Sequence, residues 1–187
     1  MKSLITSFTA TAAVATLALT SLSAPAFAGK PKWADKSDAT IVEFAIDASG
    51  IPGDFDANGE DFDILVAALI ATGTVGIFDG TNYTVFAPND QAFYDLTGTN
   101  NDADAFNAVV SLLGVDGVAA VLDYHVTNGV RNSRSVTRAA QVTMTDGNTI
   151  FYDNDLIIAN QSAAGLLDID NRLADGVVHI IDTVLLP

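Results

Sequence analysis

The sequence predicts a single α+β domain in which helices come mostly early and strands mostly late. Apolar residues recur at helical spacing over much of the chain up to about residue 122, and the pattern then changes to the alternation of strands. The last strand is a nearly continuous apolar run, which indicates burial on both faces. Helices and strands that are separated along the chain in this way favour α+β packing over a doubly wound sheet.

The first 28 residues are predicted to be a secretory signal peptide rather than part of the fold. Lys2 provides a basic start, an Ala-, Leu- and Thr-rich stretch follows, and Ala26-Phe27-Ala28 has the small residues of a cleavage site. A retained membrane anchor is the alternative, but Thr and Ser dilute the apolar stretch. We therefore expect export to the periplasm, cell surface or extracellular space, with no membrane span after the signal is removed.

The rest of the chain is expected to be a flexible leader over residues 29–38 and one domain over residues 39–187. The net charge of −15 disfavours nucleic acid as a partner, because an acidic surface repels phosphates. The chain contains no cysteine, so disulfides, thiolate metal sites and cysteine nucleophiles are excluded.

Two early helices are predicted on either side of a loop rich in Gly and Asp. The first spans residues 39–48. The second begins near Asp61, which is expected to cap it, and ends at Gly73, where a left-handed residue stops a helix. Its apolar residues follow the helical period: Phe62, Leu65, Val66, Leu69 and Ile70.

The stretch TVFAPNDQAF, residues 84–93, predicts a buried strand that turns sharply into a helix. Thr84, Val85 and Phe86 are typical of a core strand. Pro88 ends the ladder because it donates no hydrogen bond, and Asn89 can cap the helix. We interpret this turn as a packing device, with a ligand-holding elbow as the alternative.

The second half of the chain continues with helices and then strands. A helix that ends at Gly114 is followed by a further helical stretch, which turns into a strand near Tyr124. Asp146-Gly147 lies between two alternating runs and predicts a tight hairpin. Further strands are expected at residues 156–159 and 177–185.

Three separated stretches, TVFAPNDQAF, VLDYHV at 121–126 and DGVVHIIDTVLLP at 175–187, resemble the conserved boxes of fasciclin-type domains in their order. The resemblance covers almost the whole chain after the signal. It implies a fasciclin-like fold, a β-sandwich or wedge with helices packed at one side. It also implies a non-catalytic module for adhesion, or for contact with a cell-surface or matrix polysaccharide or protein, in bacteria often associated with biofilm.

The resemblance also points to Asp123, Tyr124 and His125 as partner-binding residues, since the Tyr-His region is linked to integrin-mediated adhesion in animal members of the family. The chain contains no Arg-Gly-Asp sequence. His125 and His179 are the only histidines, and a metal or catalytic pair is one hypothesis. Their apolar surroundings instead favour hydrogen bonds to buried backbone or neighbouring side chains.

An acidic loop is the stretch least like the family, and it resembles half of a calcium-binding loop. Asp54, Asp56 and Asn58 occupy the first three ligand positions of such a loop, and the following Gly permits its sharp turn. The second half does not fit, because the position of the bidentate Glu is Leu65. Other acidic residues could complete an oxygen site, namely Asp47, Glu60, Asp61 or Asp63. A solvated turn that caps a helix is the alternative.

The sequence therefore predicts a secreted adhesion module with no cofactor beyond a possible calcium ion. A calcium-dependent structural module is the first rival, and a carbohydrate-active enzyme with two facing carboxylates is the second. No nucleophile elbow, zinc motif or phosphate loop occurs in the sequence, so enzyme signals are weak. Residues 54–63 and 100–104 are the expected contact surfaces.

Overall fold

The computed structural model describes residues 38–50, 54–77 and 82–187, which lie in one compact unit. The predicted signal peptide lies outside the described residues, and so does the predicted leader except for Asp38. The α+β prediction is confirmed, and the described strands form one open, seven-stranded sheet.

The helices are Ile41–Ser49 (α1), Asp63–Thr72 (α2), Asp90–Thr97 (α3), Asp102–Tyr124 (α4) and Ser133–Arg138 (α5), with a short 3₁₀ helix at Thr74–Ile77. The strands are Tyr83–Pro88 (β1), Val126–Asn128 (β2), Val142–Thr143 (β3), Thr149–Asp153 (β4), Leu156–Ile158 (β5), Ala163–Leu173 (β6) and Gly176–Ile181 (β7).

Helix α1 begins two residues later than predicted, because Thr40 forms a capping box with Glu43. A second side chain also holds this end of the helix. The carboxylate of Asp175, just before β7, accepts a hydrogen bond of 2.8 Å from the backbone N–H of Ile41. The start of the domain is thus tied to its last strand.

Helix α2 begins at Asp63, and the prediction that Asp61 caps it is wrong. Phe62 occupies the N-cap position and provides no side-chain hydrogen bond. The N-terminal N–H groups of α2 are bound instead by Asp90, which lies 27 residues further along the chain at the start of α3. Gly73 ends α2 in the left-handed conformation, as predicted.

The turn between β1 and α3 follows the prediction closely. Pro88 is the last residue of β1, and the side chain of Asn89 caps α3 through the N–H of Ala92 at 3.2 Å. The turn carries the chain from the sheet to the start of α3.

Helix α4 combines the two predicted helical stretches, and its backbone breaks at Gly114, where φ is 68° and ψ is 168°. By length and composition it is the one helix of the described residues that could cross a membrane. This criterion also selects core helices of globular domains, and Val109, Val118 and Leu122 lie in the core here.

The strand order is β2-β1-β7-β6-β5-β4-β3, so β7 lies between β1 and β6. All six residues of β7 are buried, as predicted for the apolar run, although the strand ends at Ile181. The hairpin around Asp146-Gly147 joins β3 to β4 through a longer turn than a two-residue one. Strand β6 was not predicted, because two irregularities in its pairing with β7 interrupt any regular alternation.

The sheet has a hydrophobic core on each face. Val85 and Ala87 of β1 pack with the helices in the larger core, while Phe86 faces the smaller core. Ile150 of β4 and Ile157 of β5 belong to the same smaller core as Phe86. Since strands from both halves of the sheet share this core, the sheet bends over on itself, in keeping with the predicted wedge.

We predict that Gly176→Ala destabilises the fold through the pairing of β1 with β7. A Cβ atom at this position would lie 2.1 Å from the backbone oxygen of Tyr83, its partner in the ladder. Strands β1 and β7 would have to move apart at this point, which lowers the free energy of unfolding by about 1–3 kcal/mol or more. Urea unfolding measures the loss, with Gly76→Ala as the control because a Cβ atom there meets nothing within 4 Å. Equal stability of the two variants would contradict the prediction.

Candidate functional site

The first residues of three helices bring their carboxylates together. Asp63, Asp90 and Asp102 begin α2, α3 and α4 in turn. One oxygen from each of the three side chains lies within 4.8 Å of the other two, and all three residues are buried. Asp63 forms a second group of the same size with Asp56 and Asp61. We refer to these five residues as the carboxylate cluster.

The loop that carries Asp56 and Asp61 is held in place by the ends of α3 and α4. The backbone oxygens of Asp56, Gly59 and Asp61 accept hydrogen bonds of 3.2, 2.9 and 3.0 Å from N–H groups in the first turns of these helices. Such N–H groups have no partner within their own helix, so the loop satisfies them. The predicted contact surfaces at residues 54–63 and 100–104 are therefore one continuous surface.

Two members of the cluster are fully hydrogen-bonded. The Asp90 oxygens accept from the backbone N–H groups of Asp63 at 2.8 Å and Ile64 at 3.0 Å. The Asp102 oxygens accept from the Asp56 N–H at 2.6 Å and the Tyr94 hydroxyl at 2.5 Å. These two carboxylates bind the helices and the loop to one another.

The other buried members are not satisfied. Asp63 is only 1% exposed, yet neither of its carboxylate oxygens has a hydrogen-bond partner. One oxygen of Asp61 is also buried without a partner, while the other accepts from the Asn58 amide at 2.8 Å. Since buried polar atoms are almost always hydrogen-bonded, the unpartnered oxygens of Asp63 and Asp61 require an explanation.

Burial raises the pKa of three carboxyl groups in the cluster. The pKa of Asp63 rises to about 7, because burial and then the charge of Asp61 disfavour its ionised form. Burial also raises the pKa of Asp61 and Asp90. At neutral pH these three carboxyls therefore bind protons more readily than exposed carboxyls do.

Only part of the predicted calcium loop takes part in the cluster. Asp56 and Asp61 belong to it, whereas Asp54 and Glu60 are exposed and are not among the convergent carboxylates. Asn58 supports the loop by donating its amide to Asp61. Asp90 and Asp102 were missed, because each lies in a different segment and the sequence shows only an ordinary acidic first turn.

The structure places Tyr124 and His125, which were expected to be contact residues, in the interior of the domain. Tyr124 is 0% exposed and His125 is 2% exposed, so neither side chain can contact a partner in this conformation. The Tyr124 hydroxyl donates to the Thr149 backbone oxygen at 3.1 Å and accepts from the Asn160 N–H at 3.2 Å. Only Asp123 of the three is partly exposed.

The expectation that both histidines bind buried backbone is confirmed. Nδ1 of His125 donates to the Val121 oxygen at 2.7 Å, and its Nε2 accepts from the Leu185 N–H at 2.9 Å. The second histidine, His179, is bonded in the same way. Its Nε2 donates to the Arg131 oxygen at 2.9 Å, and its Nδ1 accepts from the Asp170 N–H at 3.2 Å. One donor and one acceptor for each ring require the neutral form.

A second feature is an open groove of about 620 Å³ between α5 and β6, which we call the arginine groove. Arg134 and Arg138 lie four residues apart on α5 and therefore share a face of it. Across the groove, Leu167 and Ile169 of β6 are 55% and 45% exposed. Tyr152 also lines it. Sequence analysis did not find this groove, because neither α5 nor β6 was predicted.

The parallel pair of strands β1 and β7, the helices α1 to α4 on one face of the sheet and the bent second half of the sheet together define this α+β fold. The sequence pattern of the Fasciclin domain matches residues 60–187. The chain therefore belongs to the fasciclin domain family.

The chain is also similar to known proteins from other organisms. Protein sll1483 of Synechocystis sp. is 29% identical over 185 residues, which cover 96% of this chain and 98% of that protein. Transforming growth factor-beta-induced protein ig-h3 of Sus scrofa is 31% identical over 67% of this chain but only 18% of its own length.

Among solved structures, the FAS1 domain pair of the insect cell adhesion molecule Fasciclin I has the same fold. Its TM-score is 0.57 at 13% identity, and the match covers 80% of this chain and 51% of that one. The chain is thus a fasciclin domain related to cell-adhesion proteins, in a family that is generally non-enzymatic and occurs in extracellular or surface proteins.

We predict that His125 makes the fold sensitive to acid. Burial lowers its pKa from 6.5 to about 4. The unfolded chain therefore binds more protons than the folded chain between these values, and stability is lost as the pH falls from about 6.5 to about 4. A pKa difference of this size in one group lowers the free energy of unfolding by about 3 kcal/mol once the loss is complete.

Urea unfolding at a series of pH values measures this loss, with His125→Asn as the comparison. The variant is expected to be less stable at neutral pH, because Asn cannot reproduce both ring hydrogen bonds. It should also show a smaller decrease in stability over this pH range than the original chain. Parallel pH curves for the two proteins would show that His125 does not cause the acid sensitivity.

Proposed function

We propose that this fasciclin domain is an exported, non-catalytic adhesion module that binds a carboxylate-bearing polysaccharide of a cell surface or matrix in the arginine groove. The observation that carries the proposal is a pair of exposed arginines on one wall of an open groove. Membership of a family found in extracellular and surface proteins supports the location, together with the sequence of residues 1–28.

The charges of the chain favour this groove over the rest of the surface. Of the eight basic residues, four lie within the described ranges, and all of them are arginines: Arg131, Arg134, Arg138 and Arg172. Arg134 and Arg138 are exposed, and their side chains make no ion pair with the described residues. They are therefore free to donate to a ligand, and a planar guanidinium group matches the geometry of a carboxylate.

The shape and lining of the groove favour a polymer of sugars over a compact ligand. The groove is open to solvent, and the exposed Leu167 and Ile169 provide an apolar wall for sugar rings. Tyr152 adds a ring with a polar end, which suits a partly hydrated surface. Asp168 in the same lining can accept hydrogen bonds from sugar hydroxyls.

A catalytic role for the raised-pKa carboxyls is not favoured by their position. Carboxyl groups with a raised pKa are what a glycoside hydrolase uses as a general acid. Asp63 and Asp90 have such shifts, but they are 1% and 0% exposed, so a glycosidic bond cannot reach them. Asp90 instead holds the start of α2 through two backbone hydrogen bonds, which is a structural role.

We predict that Arg134→Ala and Arg138→Ala each weaken binding to a uronate polymer about two- to fivefold. This is the effect expected when one exposed ion pair is removed. Biolayer interferometry on immobilised polygalacturonate measures the affinity, and the signal should decrease as salt is added. Arg172→Ala is the matched control, because it removes the same charge from an exposed residue of β6 that does not line the groove.

Two results would contradict the proposal. The first is an equal loss of affinity in all three variants, which would indicate general charge attraction rather than a groove. The second is the absence of binding to uronate polymers and neutral polysaccharides alike. Release of shortened polymer during the incubation would contradict the non-catalytic assignment.

A further inference from the structure

The unpartnered carboxylate of Asp63 indicates a ligand that is able to pair with it. Burying an ionised carboxylate without a partner costs several kcal/mol, so such groups are paired, bound to a metal or protonated. Burial and the charges of other carboxylates raise the pKa of Asp63, and no described arginine lies close enough to lower it. A protonated Asp63 would still lack an acceptor for its proton, since neither oxygen has a hydrogen-bond partner.

The free oxygens of the cluster converge at one place. Asp63 has two free oxygens and Asp61 has one. Asp56 uses one oxygen to accept from the Asn58 N–H at 2.6 Å, and its other oxygen accepts no hydrogen bond from the described residues. One oxygen from each of the three side chains lies within 4.8 Å of the other two, a spacing at which a single ion can contact all of them.

We propose that the carboxylates of Asp56, Asp61 and Asp63 bind one calcium ion. Asp63 contributes its two buried oxygens, Asp61 contributes its unpartnered oxygen, and the exposed Asp56 closes the site from the solvent side. Water molecules at that side complete the six to eight oxygen ligands that calcium takes.

The chemistry of the donors favours calcium over other metals. All the donors are carboxylate oxygens, which suit hard cations, whereas zinc sites use His and Cys. Magnesium demands a nearly regular octahedron and retains most of its water, and several protein carboxylates crowded on one ion suit it less well.

The remaining two carboxylates of the cluster position the site. Asp90 holds the start of α2, and with it the backbone of Asp63, by two hydrogen bonds. Asp102 holds the loop through the N–H of Asp56. The positive end of the α2 dipole opposes a cation here, but by only about half an elementary charge, whereas three carboxylates attract it.

The test compares thermal unfolding of the purified full-length chain in chelator, in calcium chloride and in magnesium chloride. At a free calcium concentration about 100 times the Kd, we expect the Tm to rise by roughly 5 to 10 °C, because the ion binds only the folded state. Equilibrium dialysis should give one calcium ion per chain.

Three variants localise the effect. Asp63→Asn should abolish the calcium-dependent rise, and its Tm in chelator should equal or exceed that of the original chain, because a buried unpaired charge is removed. Asp56→Asn, at an exposed position, should leave the Tm in chelator unchanged and weaken calcium binding roughly tenfold or more. Asp116→Asn is the matched control, since it removes one exposed carboxylate from α4 outside the cluster.

Several outcomes would overturn the proposal. The absence of a calcium-dependent rise in the original chain would do so, and so would a full rise in Asp56→Asn. The same rise with magnesium would overturn the choice of metal. If Asp63→Asn does not fold, Asp56→Asn alone decides between the outcomes. The result does not depend on the arginine groove, so the adhesion proposal and the calcium proposal can fail separately.

Discussion

The parallel pairing of β1 with β7 is the interaction on which the rest of the structure depends. It brings residues 83–88 against residues 176–181, and each face of the pair carries one of the two cores. The pairing also fixes the point at which β1 ends, and therefore the position of Asp90 at the start of α3. Asp175, just before β7, binds the start of α1. Both ends of the domain thus depend on one strand pair.

The N-termini of three helices partly explain why several carboxylates can lie close together beside the β1–β7 pair. The positive end of a helix dipole stabilises a nearby carboxylate by about 0.3–1 kcal/mol. Two carboxylates about 5 Å apart repel each other by roughly 3 kcal/mol at the effective dielectric constant of a protein. The three helix starts therefore offset only part of the repulsion within the cluster. Two backbone N–H groups donate to Asp90, and one backbone N–H and the Tyr94 hydroxyl donate to Asp102, whereas the Asp63 carboxylate has no donor.

Sequence analysis predicted most of the fold but only three of the five residues of the carboxylate cluster. Pro88, Asn89 and Gly73 were sufficient to predict where β1 ends, where α3 begins and where α2 ends, because each residue acts only on its sequence neighbours. The cluster is assembled from residues up to 46 positions apart, as in the bond between Asp56 and Asp102, and periodicity carries no information at that distance. For the same reason, the cap of α2 was assigned to Asp61, the nearest acidic residue, when a distant one provides it. Strand β6 and helix α5 were missed because their few buried residues follow no regular spacing.

The two proposed sites bind ligands of opposite charge, since the carboxylates would bind a cation and the arginine groove would bind an anionic polymer. The composition of the chain explains why each site can be recognised. Acidic residues are plentiful in this chain, so a group of them indicates a binding site only where they are buried away from water, as Asp63 is. Basic residues are few in the described ranges, so two exposed arginines on one helix face indicate a binding site even though they are not buried. A strongly acidic domain would repel a uronate polymer over most of its surface. Contact with such a polymer would therefore be confined to the arginine groove. A single contact region would also fix the orientation of the domain on the polymer.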